Sequence, residues 1–365
     1  MSRLRRIAML VVPLLACLVL LSGCGSIHGL TPGPTPPARP GAIVVGVGFP
    51  ETIAVSRNGG ATWSLRCRGT FNEALIPRLR DVAFGDSHDV WAAEMGNVLT
   101  GVVLVSHDGG WTWSAEHTGF TGNFVDIAAS GHHVWVVDNV DSTSLSSPWV
   151  VSSSLLASSD GGRTWQRESI PGPFPVIYDV AFSDARHGWA VTRSRNMFGS
   201  AVYSTADGGR HWRLRYSTKG AMLNRLACVD QNHCWVIGQM DSDTQLPGVI
   251  VATSDGGAHW TQLVPDPSAY YQAITFVDAE HGWAVGGRVI LATTDGGRTW
   301  VRQKTPRLGD TGCSGVAFSD REHGWVMLGA IGLLATENGG RNWTIVLPDR
   351  KGADDFMAIA CPKSG

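Results

Sequence analysis

The sequence predicts an all-β chain: a seven-bladed β-propeller of four-stranded antiparallel blades, closed by pairing of its N- and C-terminal segments. Three observations predict it. An eight-residue turn pattern recurs seven times, a hairpin pattern recurs in phase with it, and the two ends supply the strands that one unit lacks. Of 365 residues, 45 are glycine and only 16% are charged, a composition suited to many turns and buried strands.

Taken in chain order, residues 1–23 read as a leader. Arg3, Arg5 and Arg6 precede an uncharged apolar run over 7–20, shorter than the roughly 20 residues that a spanning helix needs. Leu21-Ser22-Gly23-Cys24 resembles the bacterial lipoprotein signal. That resemblance implies a lipidated Cys24 at the mature N-terminus, with an uncleaved N-terminal anchor as the alternative; either places the remaining chain outside the cytoplasmic membrane. Residues 24–40 are proline-rich and read as a stiff tether, which leaves 41–365 for the propeller. Net charge is −2, or about −5 without the three leader arginines, so nothing suggests a nucleic-acid partner. The expectation is a monomer with no cofactor, attached to the membrane through its lipid.

The cysteines fit an oxidising compartment. Beyond Cys17 and Cys24 there remain Cys67, Cys228, Cys234, Cys313 and Cys361. Cys228 and Cys234 flank a short turn that can place them on adjacent hairpin strands, and a disulfide is expected there.

The turn pattern begins at Ser56, Ser106, Ser158, Thr205, Thr253, Thr293 and Thr336, as in SHDGGWTW and TTDGGRTW. Its spacing of 40 to 52 residues is that of one four-stranded blade. A short Asp or Asn bonds turn backbone, two glycines supply positive φ, and the Trp brings a large apolar face to the next strand. The octet resembles the Asp-box, or BNR repeat, which implies a structural link between the third and fourth strands of a blade. The second pattern, as in VAFSDARHGWAV from Val180 and ITFVDAEHGWAVGG from Ile274, gives the first two strands of each blade. Only six such hairpins are complete. AIVVGVG at 42–48 looks like a second strand without its first, and MAIACP at 357–362 like a first strand without a successor. Together they make the missing pair and remove a free sheet edge.

The recurring His133, His187, His233, His281 and His323 each lie two residues before a Trp. Equivalent positions around a ring are far apart, so they read as turn residues and no metal site is expected.

Alternating strand directions put the first hairpin turns and the Asp-boxes on one face. The opposite, loop face carries the variable segments and is the expected binding face. Three groups of residues are candidates. Arg66, Arg68, Arg78 and Arg80 form a basic stretch that either holds an acidic partner group or is simply solvated. Trp149, in the longest loop, is either a contact anchor or packs its own loop. Asp81, Asp126, Asp179 and Arg225 precede the first apolar residue of successive inner strands. They would gather at the channel mouth, either as a site for a polar ligand or cation or as ordinary channel lining.

Sialidases resemble this chain only in the Asp-box: the early F-R-I-P motif is absent, and no paired Glu and Tyr is evident among five tyrosines. No glycosidase constellation is expected, and a glycan-binding protein or a sialidase-like glycoside hydrolase is the alternative reading. The combined motifs, strongest at 274–300, resemble the photosystem II assembly and stability factor propellers. That resemblance implies a non-catalytic, seven-bladed protein that binds a membrane-protein partner, partly through an arginine patch. Lipid anchoring also occurs among bacterial members of that family.

Overall fold

Short runs of Val, Ile, Leu and Ala, punctuated by turns of fixed chemistry, fold as antiparallel meanders in the computed structural model of the chain. The structure describes residues 43–363 apart from 50–51, 68–77, 96–100, 121, 142–149, 174, 195–198, 241–246, 267–268, 309–311, 330–331 and 348–354.

Six blades take their four strands in sequence order, from the channel outward. Blade 2 comprises Arg78–Phe84, Val90–Met95, Val102–Ser106 and Ser114–His117; blade 3, Phe124–Ser130, His133–Asp141, Val150–Ser158 and Gln166–Glu168. Blade 4 comprises Val176–Phe182, Gly188–Arg193, Ser200–Thr205 and Arg213–Thr218; blade 5, Ala221–Cys228, Cys234–Met240, Gly248–Thr253 and Thr261–Leu263. Blade 6 comprises Ala273–Phe276, Gly282–Gly286, Val289–Thr293 and Val301–Arg302; blade 7, Cys313–Phe318, Gly324–Leu328, Gly332–Thr336 and Thr344–Leu347. Blade 1 is assembled from both ends: Asp355–Ala360 lies innermost, beside Val44–Phe49, Thr52–Ser56 and Ser64–Cys67. Val45 stands opposite Ala360 and Phe49 opposite Asp355, so the expected closure is present, strand for strand. The seven first strands touch one another in a closed ring.

The core lies between the blades. Seven clusters of buried apolar side chains occupy the seven junctions, each drawing on two neighbouring blades. The repeat explains why. Blades 2 to 7 carry a buried Trp at or near the start of the second strand. At three junctions its ring stacks on the Phe of the next blade's first strand: Trp135 on Phe182, Trp235 on Phe276 and Trp283 on Phe318, with centroids 3.5–3.6 Å apart. Several of these indoles also donate to a carbonyl in the next blade's Asp-box, Trp235 to Gly296 at 2.8 Å and Trp283 to Gly339 at 3.0 Å. Trp325 donates to Gly59 at 3.1 Å and so ties blade 7 to blade 1.

Each of these Phe residues sits directly opposite a Gly in its hairpin. A Cβ at Gly188, Gly282 or Gly324 would come within 2.3–2.4 Å of that ring. Blade 5 has the same pair of positions filled by Cys228 and Cys234, directly opposite with Cα atoms 4.1 Å apart, and there they form the expected disulfide. Among the described residues Cys313 and Cys361 are free; the Cys67 side chain lies outside the description.

Candidate functional site: the channel wall and the loop face

The Asp-box face is chemically closed. In the box of blade 6, the Thr293 hydroxyl donates to Asp295 Oδ1 at 2.8 Å and accepts the Gly297 N–H at 2.9 Å. Asp295 also accepts the Thr299 N–H and hydroxyl, and the same bonds recur at Asp108 and Asp160 in blades 2 and 3, while His211 and His259 take the threonine's place in blades 4 and 5. Both glycines of every box have φ between 69° and 96°, the left-handed region that only Gly enters without strain. His187, His233, His281 and His323 each bond, through Nδ1, the Asp three residues earlier at 2.7–2.9 Å. Clefts of about 510, 550 and 450 Å³ open on this face at successive blade junctions. Their recurrence marks them as products of blade packing. Among the described residues no group of three or more His, Cys, Asp and Glu is arranged to hold a metal ion.

The channel wall is different because the repeat breaks there. Six of the seven first strands carry a one-residue register shift against their second strands, with Arg80, Val125, Tyr178, Asn224, Ser314 and Met357 as the inserted residues. Such a bulge re-aims the next side chain. In blades 2 to 5 that residue is Asp81, Asp126, Asp179 and Arg225, and in blades 7 and 1 it is Gly315 and Ala358; in blade 6, where the register is unshifted, Ala273 holds the corresponding place. The structure thus brings the four charged candidates together on one side of the channel.

Each carboxylate reaches across to the next blade. Asp81 Oδ2 accepts the Ile127 N–H at 3.1 Å, Asp126 Oδ2 the Val180 N–H at 2.8 Å, and Asp179 Oδ2 the Leu226 N–H at 2.6 Å. Arg225 ends the series. Its Nη1 donates to the Tyr178 carbonyl at 3.2 Å and lies 3.8 Å from Asp126 Oδ1 and 3.7 Å from Asp179 Oδ1. Burial, with Asp179 and Asp81 adding to it, holds the Asp126 carboxyl well above the usual carboxylate range. Burial also pushes Asp179 up to about 6, although Arg225 and the Leu226 N–H oppose the rise. Arg225 is held above its ordinary value: burial works against its charge, and Asp179, Asp126 and Asp81 outweigh it.

Two features escaped the sequence reading. Arg193, at the end of the second strand of blade 4, is only 6% exposed, and its guanidinium lies 4.2 Å over the Tyr178 ring with Nε unbonded. Burial lowers its pKa. Asp89 occupies the place where other hairpins have His, and reaches His107 of its own Asp-box at 2.8 Å and His132 of blade 3 at 3.3 Å. The broken repeat was the available signal for Asp89. Nothing in the local sequence marks Arg193.

The basic stretch is divided. Arg66 lies on the outermost strand of blade 1, with its guanidinium 3.0 Å from the Trp111 ring centroid on the Asp-box side of blade 2. Arg78 and Arg80 lie on the innermost strand of blade 2. The Arg78 side chain, Arg68, Trp149 and Cys24 fall outside the described residues. In blade 3 much of the long loop is taken up by two nine-residue strands, His133–Asp141 and Val150–Ser158.

A family model described as Photosynthesis system II assembly factor YCF48 matches residues 173–269 and 266–360, just over half of the chain. No curated protein matches it. Among solved structures, the chain is similar to YCF48 from Cyanidioschyzon merolae, with 22% identity over 77% of this chain and 88% of that one and a TM-score of 0.55. It is also similar to YCF48 bound to D1 peptide, with 17% identity, 76% and 85% coverage and a TM-score of 0.55. The GH74 xyloglucanase from Xanthomonas campestris shares 14% identity over 85% of this chain and 55% of its own, with a TM-score of 0.61. At such identities these structures speak for the fold alone.

Proposed function

Since the chain belongs to the Photosynthesis system II assembly factor YCF48 family, we propose that it is a non-catalytic binding propeller that holds a segment of a protein partner on its loop face. In this reading it is carried outside the cytoplasmic membrane by lipid on Cys24 and the tether over 24–40. The observation that supports it is the asymmetry between the two faces. Asp-box carboxylates are tied into their own turns, whereas the opposite ends of the inner strands carry side chains that differ from blade to blade, with Arg225 35% exposed. A peptide ligand is known for a relative of this fold, the YCF48 structure with D1 peptide.

Hydrolysis is less well supported. A glycosidase needs two carboxyl groups free to reach the glycosidic bond. Asp126 and Asp179 are buried, and each bonds the backbone of the next blade. The test uses the tagged full-length chain, crosslinked in its native membrane and solubilised. A discrete polypeptide should be recovered with it, and xyloglucan and aryl glycosides should remain intact. Turnover that one carboxylate substitution abolishes would overturn the reading.

A further inference from the structure

We propose that the Asp126–Asp179–Arg225 cluster is a carboxylate-binding site whose occupancy requires the uptake of a proton by its two aspartates. The inference deepens the loop-face reading and rests on it.

The guanidinium of Arg225 has five N–H donors, and one of them is engaged, by the Tyr178 carbonyl. The nearest carboxylate oxygens stand at 3.7 and 3.8 Å, beyond hydrogen-bond reach, because Asp126 and Asp179 each direct Oδ2 at a backbone N–H of the next blade. About a third of the side chain is open to solvent. A guanidinium so placed can offer an incoming carboxylate two parallel N–H bonds. A second cation meets the same tyrosine: Arg193, nine-tenths buried over the Tyr178 ring, has an unbonded Nε and no carboxylate partner among the described residues.

Charge then sets the condition. Asp126 faces Asp179, Asp81 and Arg225, so that with Asp126 itself three carboxylates share one guanidinium. The remaining charged or titratable groups on the strands packed against the Asp126 strand are Arg78, Arg80 and Glu94 of blade 2, His133, Asp138 and Asp141 of blade 3 and Tyr178 of blade 4. A further carboxylate beside Arg225 would meet Asp126 and Asp179 within the same shell. A proton on that pair removes one like charge and leaves Arg225 to the ligand. Both aspartates are already shifted upward by burial, Asp179 to about 6, so the pair takes up a proton more readily than exposed carboxylates do. Binding coupled to one proton changes affinity by up to about tenfold per pH unit above the titration of the pair.

The test measures fluorescence anisotropy of labelled alanine hexapeptides with the full-length chain in detergent. Three probes distinguish the source of the carboxylate: one with a free terminal carboxylate, one amidated with a central Glu, and one amidated without Glu. A carboxylate probe should bind at least about tenfold tighter at pH 5.5 than at 7.5, and the neutral probe should show no such change. Asp126→Asn keeps an acceptor for the Val180 N–H. It should give the pH 5.5 affinity at pH 7.5, and Arg225→Gln should abolish carboxylate preference with melting temperature retained. Equal wild-type affinity at the two pH values, no preference for a carboxylate, or an unaltered pH dependence in Asp126→Asn would each overturn the proposal. Capture of a membrane partner with a flat pH profile would sink this inference alone. A steep profile without any partner would sink only the wider reading.

Discussion

At the scale of the residue, the Asp-box and the channel wall use the same side chain in opposite ways. Asp160, Asp207 and Asp295 are half-buried, bonded by turn N–H groups and side chains, and held down at about 2. Asp126 and Asp179 are buried and held up. The signs of their linkage to stability therefore differ. The depressed group stabilises the fold above the ordinary carboxylate range, and that contribution disappears as pH falls from about 3.8 towards 2. The raised pair binds a proton more readily folded than unfolded, so its contribution is largest below the ordinary range and is lost as pH rises through about 6. Melting temperatures across pH 2 to 8 should show both limbs. Asp126→Asn should flatten the upper limb, and Asp295→Ala should cost about 1 kcal/mol at pH 7, as loss of a capping carboxylate does. The Asp-box role was legible in the sequence because seven copies display it. The channel role was legible only as a position, since each carboxylate's setting is made with backbone partners 46 to 54 residues away.

At the scale of the element, the hairpin carries both a stability device and a blind spot for sequence reading. The Phe opposite Gly in blades 4, 6 and 7 lets one ring stack on the preceding blade's Trp, and Cys228 and Cys234 take these positions in blade 5. Phe276→Ala removes a ring from between Trp235 and Trp300 and should cost about 3–5 kcal/mol by denaturant unfolding. Replacing both Cys228 and Cys234 by Ser should cost about 2 kcal/mol, since the bridge closes a short loop. The hairpins and the disulfide were visible in spacing alone. The bulge was not: Arg80, Val125, Tyr178 and Asn224 share no side-chain chemistry, and a bulge exists only as a register between two strands. Without the bulge, the grouping of Asp126, Asp179 and Arg225 could be suspected but not built.

At the scale of the whole molecule, closure divides structure from function. The ends meet in blade 1, Trp325 ties blade 7 to Gly59, and seven interblade cores hold the ring. Seven similar units could be read from the sequence because each must bury the same faces against its neighbours. A partner surface has no such repetition to reveal it, and the basic stretch read as one cluster falls on an outermost strand and an innermost strand of different blades. The central claim is that recognition occurs on the loop face and not on the Asp-box face. A photo-crosslinking amino acid placed at Lys219, exposed between blades 4 and 5 on the loop face, or at Arg298, exposed in the Asp-box of blade 6, tests it in intact cells. The account predicts a discrete adduct from position 219 and none above background from 298; an adduct confined to 298 would contradict it.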